Sequence, residues 1–529
     1  MPYSYKRQKP EGVYDVVIIG SGMSGIGLAA ILAKEGKRCL VLERHYTPGG
    51  FTHVFKRRDF EWDVGIHYIG DVQRKNALLR KSFDYITNEQ LDWADMGAVY
   101  DRIIFGSRTY DFVKGTEAFR ANMKGYFPDA RDQAAIDQYL SLIRQASSSG
   151  RGLFMTRAMP GLLRRVAGPW ISRQSRRFYS RTTREVMQEL TSNEELIGVL
   201  TGQFGDYGLP PAQSSFMMHA MVARHYLNGA AYPVGGSARI FDTVEPVIEA
   251  AGGAVFVSAE VERILTSGKH VTGVRMADGI EITAPVVVSS AGVHVTYNQL
   301  LRDEQTAAPA ASQYNRIAPS AAHLCLYLGL EGTPEDLGLT KTNLWIYPDN
   351  PNHDENLARY LANPDQAELP LLYASFPAAK DPDFQRRYPG RSTIELITLG
   401  AFERFKAWET APWKNRGEAY DQLKASVSQR MLDRFFDVMP QLKGKITYQE
   451  LSTPLSTRHF VNYAQGEIYG LEHTPKRFAS REISVYTPFK GLYLTGQDLI
   501  SCGIAGALSS AMVTASVLTR KNIIQKIGS

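Results

Sequence analysis

Residues 14–43 constrain the fold of this 529-residue chain more than any other stretch. Tyr14 to Gly20, YDVVIIG, is an unbroken run of apolar, largely β-branched side chains ending in glycine. That is the pattern of a strand buried on both faces. Gly20-Ser21-Gly22-Met23-Ser24-Gly25 follows, then an apolar helical run, IGLAAILAKEG, closing at Gly36. A second buried strand, KRCLVLE, ends on Glu43, 18 residues beyond Gly25. Strand, glycine turn, helix, strand and acid thus occur in order and at the spacing of a dinucleotide-binding unit.

Each element has a physical task. Gly20 permits the tight turn, Gly22 lets the backbone approach a pyrophosphate, and Gly25 lets the helix pack on the strand. The helix start, with Ser24 in its first turn, offers free N–H groups and a positive dipole end to phosphates. Glu43 is placed to accept hydrogen bonds from ribose hydroxyls, with Arg44 beside it in the binding set. An acid there selects an unphosphorylated ribose, hence FAD or NAD over NADP. Pro48-Gly49-Gly50 lets backbone approach a second bulky part of the cofactor. FEWDVGIHYIG, residues 60–70, then gives a combination typical of large flavoproteins, so FAD is expected. No second glycine fingerprint follows a strand, so no nicotinamide domain is expected and the electron donor stays open.

The remaining cofactor pieces lie far along the chain. AVFVSAEVERIL, Ala254 to Leu265, reads as one strand whose Val261 backbone meets an adenine. A hairpin turning at Asp278-Gly279 follows, then a buried strand in PVVVSSAG, 285–292. GLYLTGQD, 491–498, brings Asp498 to a ribityl or phosphate neighbourhood. The helix start at Gly503 and Ile504 faces the flavin's pyrimidine edge. The expected class is α/β, a Rossmann-like FAD-binding domain assembled from residues 12–70, 230–295 and 480–529. An α+β substrate-binding lobe is expected from 71–229 and 296–479, with strands in 323–330, 343–348 and 392–400 and a helix over 418–439. The polar stretch 349–370 reads as a surface loop.

GSGMSGIGLAAILAKEGKRCLVLERHYTPGGFTHVF, FEWDVGIHYIG, YPVGGSARIFDTVEPVIEAAGG, LSTPLSTRHFVNYAQGEIYGLEH and GLYLTGQDLISCGIAGALSSAMVTASVL resemble the phytoene desaturase and carotenoid isomerase family of flavoproteins. Within it they are similar to the retinol saturase-like branch, in collinear order over nearly the whole chain. The resemblance implies an FAD fold of the glutathione-reductase type and membrane association. It implies a lipophilic polyene, isoprenoid or unsaturated acyl substrate, with hydrogen added across one carbon–carbon double bond. Desaturation or cis–trans isomerisation use the same cofactor geometry, and a non-catalytic prenyl-lipid carrier is the reading of a different class. His67 and Tyr68 are placed near the isoalloxazine, and Tyr469, with Tyr463 and His473, on its open face. His67, Tyr68 and Tyr469 are the candidate proton donors, water being the alternative. His53 sits within reach of the cofactor, and His219 and His225 lie on an apolar helical pattern typical of structural histidines.

Composition sets further bounds. Cys39, Cys325 and Cys502 are scattered, which excludes a disulfide framework and a zinc site. From Arg151 to Arg184 there are nine arginines and no acid or lysine, more positive charge than the chain's net +6. Leucine, phenylalanine and tryptophan are interleaved, the composition of a helix lying on an anionic membrane surface. No groove-reading module accompanies it, so no nucleic acid partner is expected. The start, MPYSYKRQKPEGVYDVV, has no apolar signal region, and no run reaches membrane-spanning length. A cytoplasmic, peripherally membrane-associated protein is the expectation.

Overall fold

The computed structural model describes residues 2–529. A six-stranded parallel sheet runs Tyr3–Ser4, Ala254–Val257, Cys39–Leu42, Val16–Ile19, Val287–Ser289, Leu492–Leu494. Alternate side chains face opposite ways. Val16, Ile18, Val41, Val255 and Val288 pack under the helices Met23–Lys34, Arg239–Ala250 and Gly503–Thr519. Val17, Ile19, Leu40, Leu42 and Phe256 face an antiparallel sheet of Val261–Ser267, His270–Met276 and Glu281–Thr283. Burial on both faces is why these strands read as continuous apolar runs.

The stretch expected as one strand, Ala254 to Leu265, is two. Ala254–Val257 belongs to the parallel sheet and Val261–Ser267 to the antiparallel one. The chain leaves the first sheet at Ser258, which takes φ +52°. The break is held by Ser258 N–H donating to His45 O at 2.8 Å and Ala259 N–H to Glu43 O at 2.7 Å. Tyr3–Ser4, before the expected domain start at residue 12, adds an edge strand.

A seven-stranded sheet forms the second lobe, in the order Ile446–Ser452, Ala322–Glu331, Arg391–Gly400, Leu372–Ser375, Asn343–Tyr347, Val99–Phe105, Arg108–Val113. The helix Glu418–Val438 packs on one face through Val427, Met431 and Phe435. The stretch 349–370, expected as a loop, contains the helix His353–Ala362. Asn352 caps it, and His353, Asn356, Leu357 and Tyr360 are buried. That face carries only two apolar residues in a polar context, so periodicity of hydrophobicity missed it.

The hairpin Val54–Arg57/Phe60–Asp63 leaves the cofactor domain and docks on this second sheet. Trp62 Nε1–H donates to Leu328 O at 2.8 Å and Asp63 N–H to Glu395 Oε1 at 3.0 Å. Helices between Thr116 and Tyr226 close the remaining side. Among the described residues no helix is long and apolar enough to cross a membrane.

Candidate active site

The two lobes enclose one cavity of about 1340 Å³. That exceeds the usual volume of a small-molecule pocket, roughly 300–1,000 Å³, and gives room for a dinucleotide and a long apolar ligand together. Gly20, Gly22, Ser24, Glu43, Arg44, Gly49, Gly50, Val261, Asp498 and Ile504 all line it. Gly25 does not, because it is spent on packing. A Cβ there would lie 2.0 Å from Gly20 O.

At the first strand's end, Gly20 turns with φ +97°. Gly22 starts the helix Met23–Lys34 with no side-chain cap and no acid in the first turn. A Cβ on Gly22 would meet nothing within 4 Å, whereas one on Gly50 would lie 2.9 Å from Gly22 Cα. Two backbones therefore converge on uncapped N–H groups at open space, the form an anionic diphosphate requires. Glu43 Oε2 accepts from Ser21 N–H and Ser21 Oγ–H at 2.8 Å each, and Oε1 from His45 N–H at 2.8 Å. These bonds fix the carboxylate at the cavity wall and leave acceptor capacity for a diol. Arg44 reaches His459 O at 3.1 Å and Glu260 at 3.5 Å.

At the far end, Ser24 Oγ meets Ser290 Oγ at 2.6 Å, joining the first and middle segments. Asp498 Oδ2 accepts from Val293 N–H and Oδ1 from Leu471 N–H, each at 2.8 Å. Asp498 is thus first a staple of three chain segments, and only its remaining lone pairs face the cavity. The helix Gly503–Thr519 begins at Cys502 with no side-chain cap or acid. Cys502 N–H is held by His473 Nε2 at 3.0 Å, which also accepts from Arg477 Nη1 at 2.8 Å. With Nε2 accepting twice, this histidine is neutral with its proton on Nδ1. Burial and the Arg477 guanidinium push its pKa well down. His473 therefore anchors the helix start and does not face substrate. The uncapped start favours an anionic flavin pyrimidine edge, so the residues present fit FAD.

Between these ends lies a chamber walled by His67, Tyr68, Gly205, Asp206, Tyr373 and Tyr469. His67 Nδ1 is 3.3 Å from Glu395 Oε2. Burial first, then the Lys380 ammonium, lower the His67 pKa to about 3, so the ring is neutral. Burial raises Glu395 to about 8. Tyr68 stacks on Tyr226 with centroids 4.2 Å apart. Its hydroxyl lies 3.0 Å from Asp101 Oδ2 and 3.1 Å from Asp206 Oδ2. Tyr469 O–H donates to Gly205 O at 3.0 Å. Lys380, buried and lowered to about 8 by that burial, donates to His67 O at 2.9 Å and to Asn343 Oδ1.

Of the residues named from the sequence, Glu43, Tyr68, Tyr469 and the glycines other than Gly25 line the cavity, and beside them the structure places Asp101, Asp206, Lys380 and Glu395, which the sequence reading did not name. Asp101 and Glu395 lie in strands, Asp206 ends a short turn and Lys380 ends the short helix Pro377–Lys380, with no motif spacing among them. The available signal was a lone acid or lysine in a buried run, as in STIELITLG. His219 bonds the hydroxyls of Tyr139 and Tyr207 at 3.0 and 3.2 Å, and His225 Nε2 accepts from Gly70 N–H at 2.9 Å, both structural roles. His53 turns Nδ1 back onto Gly50 O.

The arginine-rich run divides in two. Arg157 is buried and binds Ile483 O at 3.1 Å, Phe478 O at 3.3 Å and Ser480 O, while Arg181 and Arg184 pair with Glu189 and Glu194. Arg151, Arg165, Arg173, Arg176 and Arg177 are exposed. Beside them the helix Gly161–Ile171 leaves Leu162, Val166 and Trp170 at 80%, 75% and 79% exposure. Arg151, Phe154 and Met155, in the last turns of the preceding helix Ala130–Arg157, line the cavity.

A split Rossmann-like domain facing an apolar chamber defines a flavin-dependent oxidoreductase. The chain belongs to the flavin containing amine oxidoreductase family, whose model matches residues 23–519, and FAD is its cofactor. It is 37% identical to an all-trans-retinol 13,14-reductase of Danio rerio, over 96% of this chain and 86% of that protein. A second Danio rerio relative, 34% identical over 95% and 85%, is named an inactive all-trans-retinol 13,14-reductase, so activity must be argued from the site. A lycopene-forming phytoene desaturase of Paracoccus is 24% identical over 95% and 96%. Among solved structures, a Brevibacterium oxydans cyclohexylamine oxidase superposes with TM-score 0.61 at 15% identity, covering 96% and 99%, a likeness of fold.

Proposed function

We propose that this protein reduces one carbon–carbon double bond of a lipophilic polyene alcohol or its close analogues, all-trans-retinol being the first substrate to test. The observation that carries the reading is the single cavity in which the cofactor cradle opens directly onto an apolar, tyrosine-walled chamber. Reduced FAD, when bound, supplies hydride to one alkene carbon. The chain's part is to hold the cofactor through Gly20, Gly22, Gly50, Glu43 and the start of Gly503–Thr519, to exclude water, and to deliver a proton to the other carbon. Tyr469 positions the 204–206 turn by its bond to Gly205, and neutral His67 walls the chamber without acting as a cationic acid.

The reading is tested by mixing anaerobically reduced protein with retinol and with acyclic and acyl polyenes, and weighing the products. A gain of two hydrogens supports reduction. A loss of two by the oxidised protein, or an isomer of unchanged mass, supports the desaturase or isomerase alternative and overturns it.

We further propose that Gly161–Ile171 and the exposed arginines dock on an anionic bilayer, so that substrate enters the cavity past Met155 and Phe154. Burying Leu162, Val166 and Trp170 contributes about 4 kcal/mol, and each exposed arginine about 1 kcal/mol more. Changing those three residues to serine is expected to cut binding to phosphatidylserine-containing vesicles close to a thousandfold by that estimate of about 4 kcal/mol. Equal flotation of variant and parent overturns the docking.

A further inference from the structure

We infer that Asp206 is the catalytic acid, giving its carboxyl proton to the second alkene carbon, and that Tyr68 and the ionised Asp101 behind it hold Asp206 in its protonated form between turnovers. The inference rests on the reductive reading above and names the residue that completes it.

The placement comes first. Asp206 ends the short turn Phe204–Asp206 and lines the cavity. The same turn is pinned to both cofactor-side landmarks. Cys502 Sγ, at the start of the cofactor helix, contacts Asp206 O at 3.3 Å, and Tyr469 O–H holds Gly205 O at 3.0 Å. The turn thus sits where the cofactor helix and the tyrosine wall meet, and its carboxyl reaches the Tyr68 hydroxyl. Among the described residues no cation pairs with it. The titratable groups around it are Tyr68, Asp101, Tyr207, Tyr226, Tyr347, Tyr373, Tyr469 and Cys502.

Proton counting then fixes its state. Tyr68 has one hydroxyl hydrogen, yet its oxygen lies 3.0 Å from Asp101 Oδ2 and 3.1 Å from Asp206 Oδ2. It cannot donate to two carboxylates at once, so one of the two carries a proton and donates to the tyrosine oxygen. Asp101 already accepts from Gln203 Nε2 at 2.7 Å and Asn343 Nδ2 at 2.9 Å. Lys380 Nζ donating to Asn343 Oδ1 fixes that amide with its NH₂ toward Asp101. Two amide donors favour the ionised form, so Asp101 is the carboxylate and Asp206 the acid. Burial acts the same way. It raises Asp101 only to about 6 but lifts Asp206 well above the usual carboxylate range, with the Asp101 charge adding to the effect.

The step balances. The Asp206 O–H bond breaks and a C–H bond forms at one alkene carbon, while the other carbon takes the hydride, a proton with two electrons, that reduced FAD would supply when bound. The product gains two hydrogens, and the Asp206 carboxylate regains its proton from water entering the cavity that it lines once product has left.

Two measurements test this. In the flavin-loaded protein without substrate, the infrared difference between parent and Asp206→Asn at pH 7 should contain a protonated-carboxyl C=O band that shifts in D₂O, the band of protonated Glu395 cancelling between the two. Absence of that difference band overturns the assignment, and this arm reads Asp206 whether or not a substrate is found. In single turnover, Asp206→Asn should retain full flavin, slow product formation at least a hundredfold and lose the parent's decline at high pH, while Asp206→Glu recovers part of the rate. Unchanged rate and pH profile in Asp206→Asn overturn the inference while leaving reduction itself intact. Failure of the parent to add hydrogen to any polyene instead overturns the reductive reading.

Discussion

Two neighbouring glycines should fail in opposite ways if the cofactor cradle is as described. A Cβ on Gly25 would lie 2.0 Å from Gly20 O and 3.1 Å from Gly20 C. Relief requires the helix Met23–Lys34 to move about an ångström off the strand Val16–Ile19, an overpacking cost of about 3 kcal/mol. Gly22 is different. Its Cβ would meet nothing within 4 Å, and its φ −59°, ψ 169° suits any residue. Gly22→Ala therefore keeps the apo-fold, with a gain of about 0.5 kcal/mol from the stiffer unfolded chain. The methyl group occupies the space left for the diphosphate, however. Losing even one charge-assisted N–H contact there, about 2 kcal/mol, weakens FAD about thirtyfold. Melting of apo-protein and titration with FAD separate the two effects. Gly22→Ala should melt with the parent but bind FAD poorly, and Gly25→Ala should melt well below it. Gly22→Ala binding FAD as tightly as the parent would refute the reasoning.

Other outcomes follow from the same geometry. His219, His323 and His353 are buried with pKa values lowered to about 3, 4 and 4. Their folded values lie below the unfolded one, so their contribution is present above about pH 6.5 and lost as pH falls. At pH 5 each costs about 2 kcal/mol, together comparable to the whole stability of a domain. Near-ultraviolet circular dichroism should show cooperative unfolding close to pH 5, and a fold intact at pH 4 would contradict this. Arg157→Met should lower the melting temperature markedly because it orphans two buried carbonyls and a half-buried third, whereas Arg165→Ser should not; equal melting of the two would count against the buried role. His67→Ala should keep FAD and slow turnover less than Asp206→Asn does, and the reverse order would make the imidazole the donor.

Much of the cofactor domain was legible because its requirements are local and repetitive. A doubly buried strand must be apolar throughout, and a backbone that approaches a phosphate must be glycine, so residues 14–43 announce themselves. What lay outside reach was relational. Ala254 to Leu265 looks like one strand because nothing in its side chains marks Ser258 as the point where the chain changes sheets. The reading of Asp498 as a cofactor ligand overlooked that Val293 and Leu471 bring backbone N–H groups to it from distant segments. Asp206, Tyr68 and Asp101 form one hydrogen-bonded set only after a turn, a loop and a strand converge. The even composition of the arginine run likewise hid that Arg157 is a buried strut while Arg165 and Arg173 are solvated. The exposure of Leu162, Val166 and Trp170 on one helical face became visible only once the helix was placed on the fold.

The central claim is that one cavity joins the flavin to a polyene double bond, and electron counting tests it directly. Flavin-loaded protein is reduced anaerobically, all-trans-retinol is added, and flavin absorbance and product mass are followed in the same sample. The account predicts one flavin reoxidised for each molecule that gains two hydrogens. Flavin that stays reduced while the polyene is unchanged, or is converted to an isomer of the same mass, would contradict it.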